Sequence, residues 1–123
     1  MIHLDTNHLI MASVSGSIAD QQLRAWLSVG ESVKLSSIVW CEFLCGPVSA
    51  EQVRYVTILL PTPEPFLPQD AATAAEWFNR TGRRRGSLVD CMIAGIAHRA
   101  GARLATANLA DFRRFVPLGL LLA

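Results

Sequence analysis

The sequence predicts an α/β fold, a mostly parallel sheet of four to five short strands with helices on both faces. Three observations carry that reading. Short apolar runs alternate with longer stretches of helical periodicity, glycine or proline punctuates most junctions, and no hairpin signal such as Asn-Gly joins one strand to the next. At 123 residues, 51% hydrophobic and 17% charged, the chain is expected to form one domain with a substantial core.

Each element has a local reason. Met1 to Leu4 is an apolar run expected to form a short buried strand, and Asn7 to about Ser13 starts a helix that breaks near Ser15-Gly16-Ser17. A second helix spans Ile18 to Val29, with Leu23, Trp26 and Leu27 on one face and Gly30 closing it. Val33 to Ser36 is the second strand. Ser37 is the expected N-cap of a helix from Ile38 to Leu44, which Gly46-Pro47 ends. Ser49 to Leu60 reads as a helix with Val53, Val56 and Leu60 inward. The proline-rich stretch Pro61 to Pro68 has room only for a short extended piece, because proline removes ladder donors. Asp70 to Asn79 is helical, and Thr81-Gly82 with Arg83-Arg84-Arg85 makes the next loop. Ser87-Leu88-Val89-Asp90 has the capping-box form ahead of an apolar helix that Gly101 stops. Arg103 to Thr106 and Leu118 to Leu122 are the third and fourth strands, with one or two helical turns between Leu109 and Phe115.

Composition narrows the function. A net charge of +1 does not make the whole molecule an electrostatic magnet for nucleic acid, yet Arg83, Arg84 and Arg85 form a compact cluster. Arginine favours bidentate contacts to phosphate, so this cluster is a candidate RNA-backbone contact as well as a solvated loop. Cys41, Cys45 and Cys91 lie in apolar segments and are expected to be buried reduced thiols; the i,i+4 pair Cys41 and Cys45 has no partners elsewhere to complete a zinc site. No apolar run approaches the roughly 20 residues that span a bilayer, and no basic leader precedes Asp5, so a cytoplasmic protein with no membrane partner is expected.

Four acids stand in apolar surroundings. Asp5 ends the first strand, where open α/β sheets present their ligand crevice. Glu42 lies within an otherwise apolar helix and is expected to be partly buried, Asp90 opens the helix before the third strand, and Asp111 follows that strand. Singly, each has a structural explanation, such as capping a helix. Gathered together they need a cation, since two unit charges at about 4 Å repel by roughly 4 kcal/mol at an effective dielectric of about 20. An oxygen-only cluster selects a hard ion, Mg²⁺ or Mn²⁺, which suits phosphodiester hydrolysis.

The ordered set Leu4-Asp5-Thr6-Asn7, Glu42, Asp90-Cys91-Met92-Ile93-Ala94 and Thr106-Ala107-Asn108-Leu109-Ala110-Asp111-Phe112 resembles the successive motifs of PIN-domain proteins, and most of all the VapC toxins of bacterial toxin–antitoxin pairs. The resemblance covers essentially the whole chain. It implies a three-layer sandwich and a Mg²⁺- or Mn²⁺-dependent endoribonuclease, with Asp5, Glu42 and Asp90 as the principal catalytic acids and metal ligands. Thr6, Asn7 and Thr106 match supporting positions. Relatives place the fourth acid either where this chain has Asn108 or three residues on, at Asp111, so both belong to the candidate set. The implied partners are an RNA substrate, a cognate antitoxin and a second copy of the chain. Two rivals carry some of the same residues: another phosphoryl-transfer enzyme with Asp5 as nucleophile, for which Lys34 is the sole candidate lysine, and a PIN-like binding scaffold of low activity.

Overall fold

A computed structural model describes residues 1–123. The elements run β1 (Ile2–Leu4), α1 (Thr6–Ala12), α2 (Ile18–Ser28), β2 (Val33–Lys34), α3 (Ser37–Cys45), α4 (Ala50–Leu59), α5 (Pro68–Arg80), α6 (Leu88–Arg99), β3 (Arg103–Ala105), α7 (Leu109–Phe112), a 3₁₀ segment Arg113–Leu118, and β4 (Leu121–Leu122). The four strands form one parallel sheet in the order β2-β1-β3-β4. Parallel neighbours need long crossovers, and every connection here contains helix. All three residues of β1 are buried although their side chains alternate between faces, so both faces of the sheet are covered.

That strand order positions the functional crevice. From β1 the chain crosses to β2 on one side, whereas from β3 it crosses to β4 on the other. The carboxyl ends of β1 and β3 therefore flank a topological switch point, the usual ligand site of an open α/β sheet. Leu4 pairs with Ala105, so Asp5 and Thr106 leave the sheet side by side, and the Asp5 amide donates to the Ala105 carbonyl at 2.9 Å.

The core joins both helical layers through Phe43, Phe112 and Phe115, all fully buried, with Leu4, Leu9, Leu35 and Leu104. Trp77 stacks on Phe115 at 5.6 Å and is buried; Trp26 and Trp40 are only half-buried against the core. Across α5 and α6, the Arg99 Nε donates to the buried Asp70 carboxylate at 2.8 Å.

Several sequence expectations need correction. The N-cap of α3 is Ser36, whose hydroxyl accepts from the Val39 amide at 3.1 Å; Ser37 begins the helix and accepts instead from the Phe66 amide. Helix α5 starts at Pro68 rather than Asp70, since proline suits the first helical position, and Asp70 accepts from the Leu67 amide at 2.8 Å. Ser87 closes no capping box. Its backbone is already helical, and its hydroxyl donates to the Arg84 carbonyl at 2.7 Å. Cys41 and Cys45 are exposed while Cys91 is buried, because α3 turns Val39 and Phe43 inward, packs Ile38 and Trp40 half-buried beside them, and leaves Cys41, Leu44 and Cys45 outside. In the proline-rich stretch, Glu64 supplies the short extended piece: it bridges Ser36, and its amide donates to the Leu35 carbonyl at 2.8 Å.

Candidate active site

The site is organised around Asp5. It is 4% exposed, and both carboxylate oxygens are engaged: Oδ1 accepts from the Thr6 amide at 2.8 Å, capping α1, and Oδ2 accepts from the Thr106 hydroxyl at 2.8 Å. The Thr106 oxygen in turn accepts from the Asn108 amide at 2.9 Å. Thr6 extends the chain outward, its hydroxyl donating to Glu42 Oε1 at 2.5 Å. Two threonines thus tie residues from β1, α3 and the β3–α7 junction into one network. Asn7 is exposed and stands outside it.

Glu42 is exposed, contrary to the sequence expectation. The apolar residues flanking it in sequence are spread around α3, so the helix has an outward side on which Glu42 sits with Cys41, Leu44 and Cys45. Asp90, half-buried in the first turn of α6, has no hydroxyl cap to complete, which removes the capping box and leaves only the helix dipole as a structural explanation for its presence.

Asp5 and Asp90 lie within the field of the other acids. Burial pushes the Asp5 carboxyl above its ordinary range against its two hydrogen bonds, and the charges of Glu42 and Asp111 push the same way. Burial and the charges of Asp5, Asp111 and Glu42 raise Asp90 to about 6, with Arg114 opposing them. No three of these side chains stand close enough together to hold a metal ion as they are placed. The donor set nevertheless suits a hard divalent cation in chemistry: it is all oxygen and anionic, and burial together with neighbouring charge raises Asp5 and Asp90.

Beside the acids lies a pocket of about 150 Å³ lined by Arg84, Arg85, Gly86, Ser87, Asp90, Asp111 and Arg114, with no apolar residue. Asp111 therefore shares a pocket with Asp90, whereas Asn108 enters the site through its backbone amide. Arg83 turns away, bonded to Asn79 and stacked over Phe78 at 5.6 Å. Sequence reasoning missed Arg114. Its signal was the spacing Asp111-x-x-Arg114, which puts acid and guanidinium on one side of a helical turn.

The fold is shared with known proteins. The family model described as PIN domain matches residues 2–116, so the chain belongs to the PIN-domain family. Among solved structures, it is similar to VapBC2 from Rickettsia felis bound to a fragment of promoter DNA, with 22% identity, a TM-score of 0.77, and coverage of 100% of this chain and 98% of that one. A DNA-bound VapBC from Salmonella typhimurium matches at 26% identity and a TM-score of 0.73, covering 99% and 96%. Mycobacterium tuberculosis VapC20, described as a Sarcin-Ricin loop cleaving toxin, matches at 24% identity and a TM-score of 0.60, covering 84% and 85%. No curated protein matches the sequence.

Proposed function

We propose that this chain is a Mg²⁺- or Mn²⁺-dependent endoribonuclease acting in the cytoplasm as the toxin of a toxin–antitoxin pair. The observation that carries the reading is the placement of Asp5: a nearly buried carboxylate at the β1/β3 switch point, raised in pKa by burial and by the charges of Glu42 and Asp111. Family membership supplies the nuclease class. The named activity of VapC20 and the VapBC complexes support RNA as substrate and an antitoxin as partner.

Asp5 and Asp90 would hold the cation, with Glu42 and Asp111 completing its surroundings and the Asn108 amide side chain as a further oxygen donor. When bound, Mg²⁺ or Mn²⁺ polarises a phosphoryl oxygen and activates water for in-line displacement. Thr106 and the Thr6 amide fix the Asp5 carboxylate, so its orientation is set before substrate arrives. The Thr6 hydroxyl occupies one Glu42 oxygen and leaves the other for a water or proton. The phosphatase-like alternative lacks its lysine: Lys34 lies on the outer strand β2 and pairs with Glu64 at 3.4 Å.

Met11, Val14 and Ile18 line an open groove with His8 along α1 and α2, and Ile18 is 86% exposed. Such a patch suits an antitoxin segment, while the outward apolar residues of α3 suit a second copy of the chain. The activity is tested by incubating the protein with total RNA in Mn²⁺ or EDTA, beside Asp5→Asn and Asp90→Asn. Cleavage confined to wild type with Mn²⁺ is expected. Cleavage that survives EDTA, or full activity in both variants, would overturn the mechanism.

A further inference from the structure

We infer that the pocket between α6 and the 3₁₀ segment, lined by Arg84, Arg85, Ser87 and Arg114, is a phosphate site that grips the backbone of single-stranded RNA beside the acids, with Arg114 as its anchoring residue. The inference rests on the nuclease reading and adds to it a group that holds the substrate.

Arg114 carries the argument. Its side chain is 15% exposed, and its Nε and Nη2 atoms are buried without any hydrogen-bond partner. The nearest carboxylate oxygen, Asp90 Oδ2, is 3.7 Å from Nη2, too far for a hydrogen bond. Stacking over Phe115 at 4.8 Å fixes the plane of the guanidinium and supplies no acceptor. A half-buried guanidinium held by stacking, with no hydrogen-bond acceptor on Nε or Nη2, is incompletely satisfied, and a bidentate oxyanion, met by a turn of the side chain toward the pocket, matches its fork. The pocket it lines has no apolar wall, and Arg84 and Arg85 also border it. Gly86, at φ +80°, shapes the loop that brings these two arginines beside Ser87.

Three guanidiniums outnumber the two carboxylates, Asp90 and Asp111, that line the same pocket. A phosphate seated there would meet the arginines with one pair of oxygens and lie next to the acids that would carry the cation, the disposition that a phosphodiester under attack requires.

The test uses the full chain in EDTA, so that binding is read apart from cleavage. A fluorescently labelled oligouridylate is titrated by anisotropy against wild type, Arg114→Lys and Arg114→Met, across a range of salt. Arg114→Met is expected to weaken binding about tenfold and to lower the salt slope by about 0.7, the loss of one single-strand phosphate contact. Arg114→Lys, which keeps charge without the fork, is expected to keep the slope and lose part of the affinity. Inorganic phosphate is expected to raise the melting temperature of wild type and to leave that of Arg114→Met unchanged. Wild-type affinity and slope in Arg114→Met would overturn the inference, as would a wild-type melting temperature that phosphate does not move. RNA binding that depends on Arg114 without a phosphate response would assign the contact to the sugar or base instead and also overturn it. These outcomes are independent of the Asp5→Asn cleavage test, on which the nuclease reading stands.

Discussion

The Thr106 hydroxyl donates to Asp5 Oδ2 at 2.8 Å, joining the first residue beyond β3 to the first residue beyond β1 across 101 positions of sequence. Strand pairing makes this contact. With Leu4 opposite Ala105, the next residue of each strand has its partner within reach, and the same threonine oxygen receives the Asn108 amide.

Replacing Thr106 with Val keeps the shape and removes the hydroxyl from both neighbours. A loss of about 1–2 kcal/mol in urea unfolding is expected, because Asp5 stays buried with one bond fewer and the Asn108 amide loses its acceptor. Mn²⁺ affinity should fall about 10–100-fold, the usual penalty for removing a group that orients a ligand. Thr106→Ser should restore both.

Asp90→Asn should separate stability from activity. Because Asp90 titrates near 6 in the fold against an ordinary 3.8, the folded state binds the extra proton over that window, and the Asp90 contribution to stability falls as pH rises from about 4 through 6. Above pH 6, in EDTA, the variant is expected to be more stable than wild type by about 1 kcal/mol, a figure reduced for loss of the Arg114 contact and for partial exposure. Thermal denaturation in EDTA and Mn²⁺ checks this: the ion should stabilise wild type and not the variant.

His3 sets the acid limit of stability. Buried in β1 with an unpartnered Nε2, it is held to a pKa of about 4 by desolvation, against an ordinary 6.5. The unfolded chain therefore takes up the proton first as pH falls. The His3 contribution to stability is complete above about 6.5 and declines toward 4 by up to about 3 kcal/mol, opposite in sign to that of Asp90. His3→Phe should flatten that limb in melting temperature measured against pH.

Gly119 closes the 3₁₀ segment at φ +120°, where an added Cβ would lie 2.8 Å from His98 Cε1. Gly119→Ala should cost about 1–3 kcal/mol by combining an unfavourable backbone with a collision against a ring that also contacts Trp77. Chemical denaturation reads the loss, and an unchanged midpoint would contradict it.

The alternation of apolar runs and helical periods made the parallel sheet legible, because a parallel crossover must contain the helix that the periodicity announces. The acids were legible for the same reason, since Asp5 and Asp111 follow strands whose ends could be located. Exposure of Glu42 was not, because an apolar helix does not declare which side the core takes; only packing of Val39 and Phe43 decides that. The Ser87 capping box failed because a preceding turn claimed its hydroxyl for Arg84. Arg114 was signalled only by its spacing from Asp111, a common pattern on its own, and its stacking over Phe115 exists only once the 3₁₀ turn forms.

The acids at the β1/β3 switch point are expected to form a divalent-cation site. Calorimetric titration of Mn²⁺ into wild type and Asp5→Asn at neutral pH measures this without RNA. Saturable binding by wild type, weakened about tenfold or more in Asp5→Asn, is the expected result. Absence of saturable binding, or equal affinity in the two proteins, would contradict it.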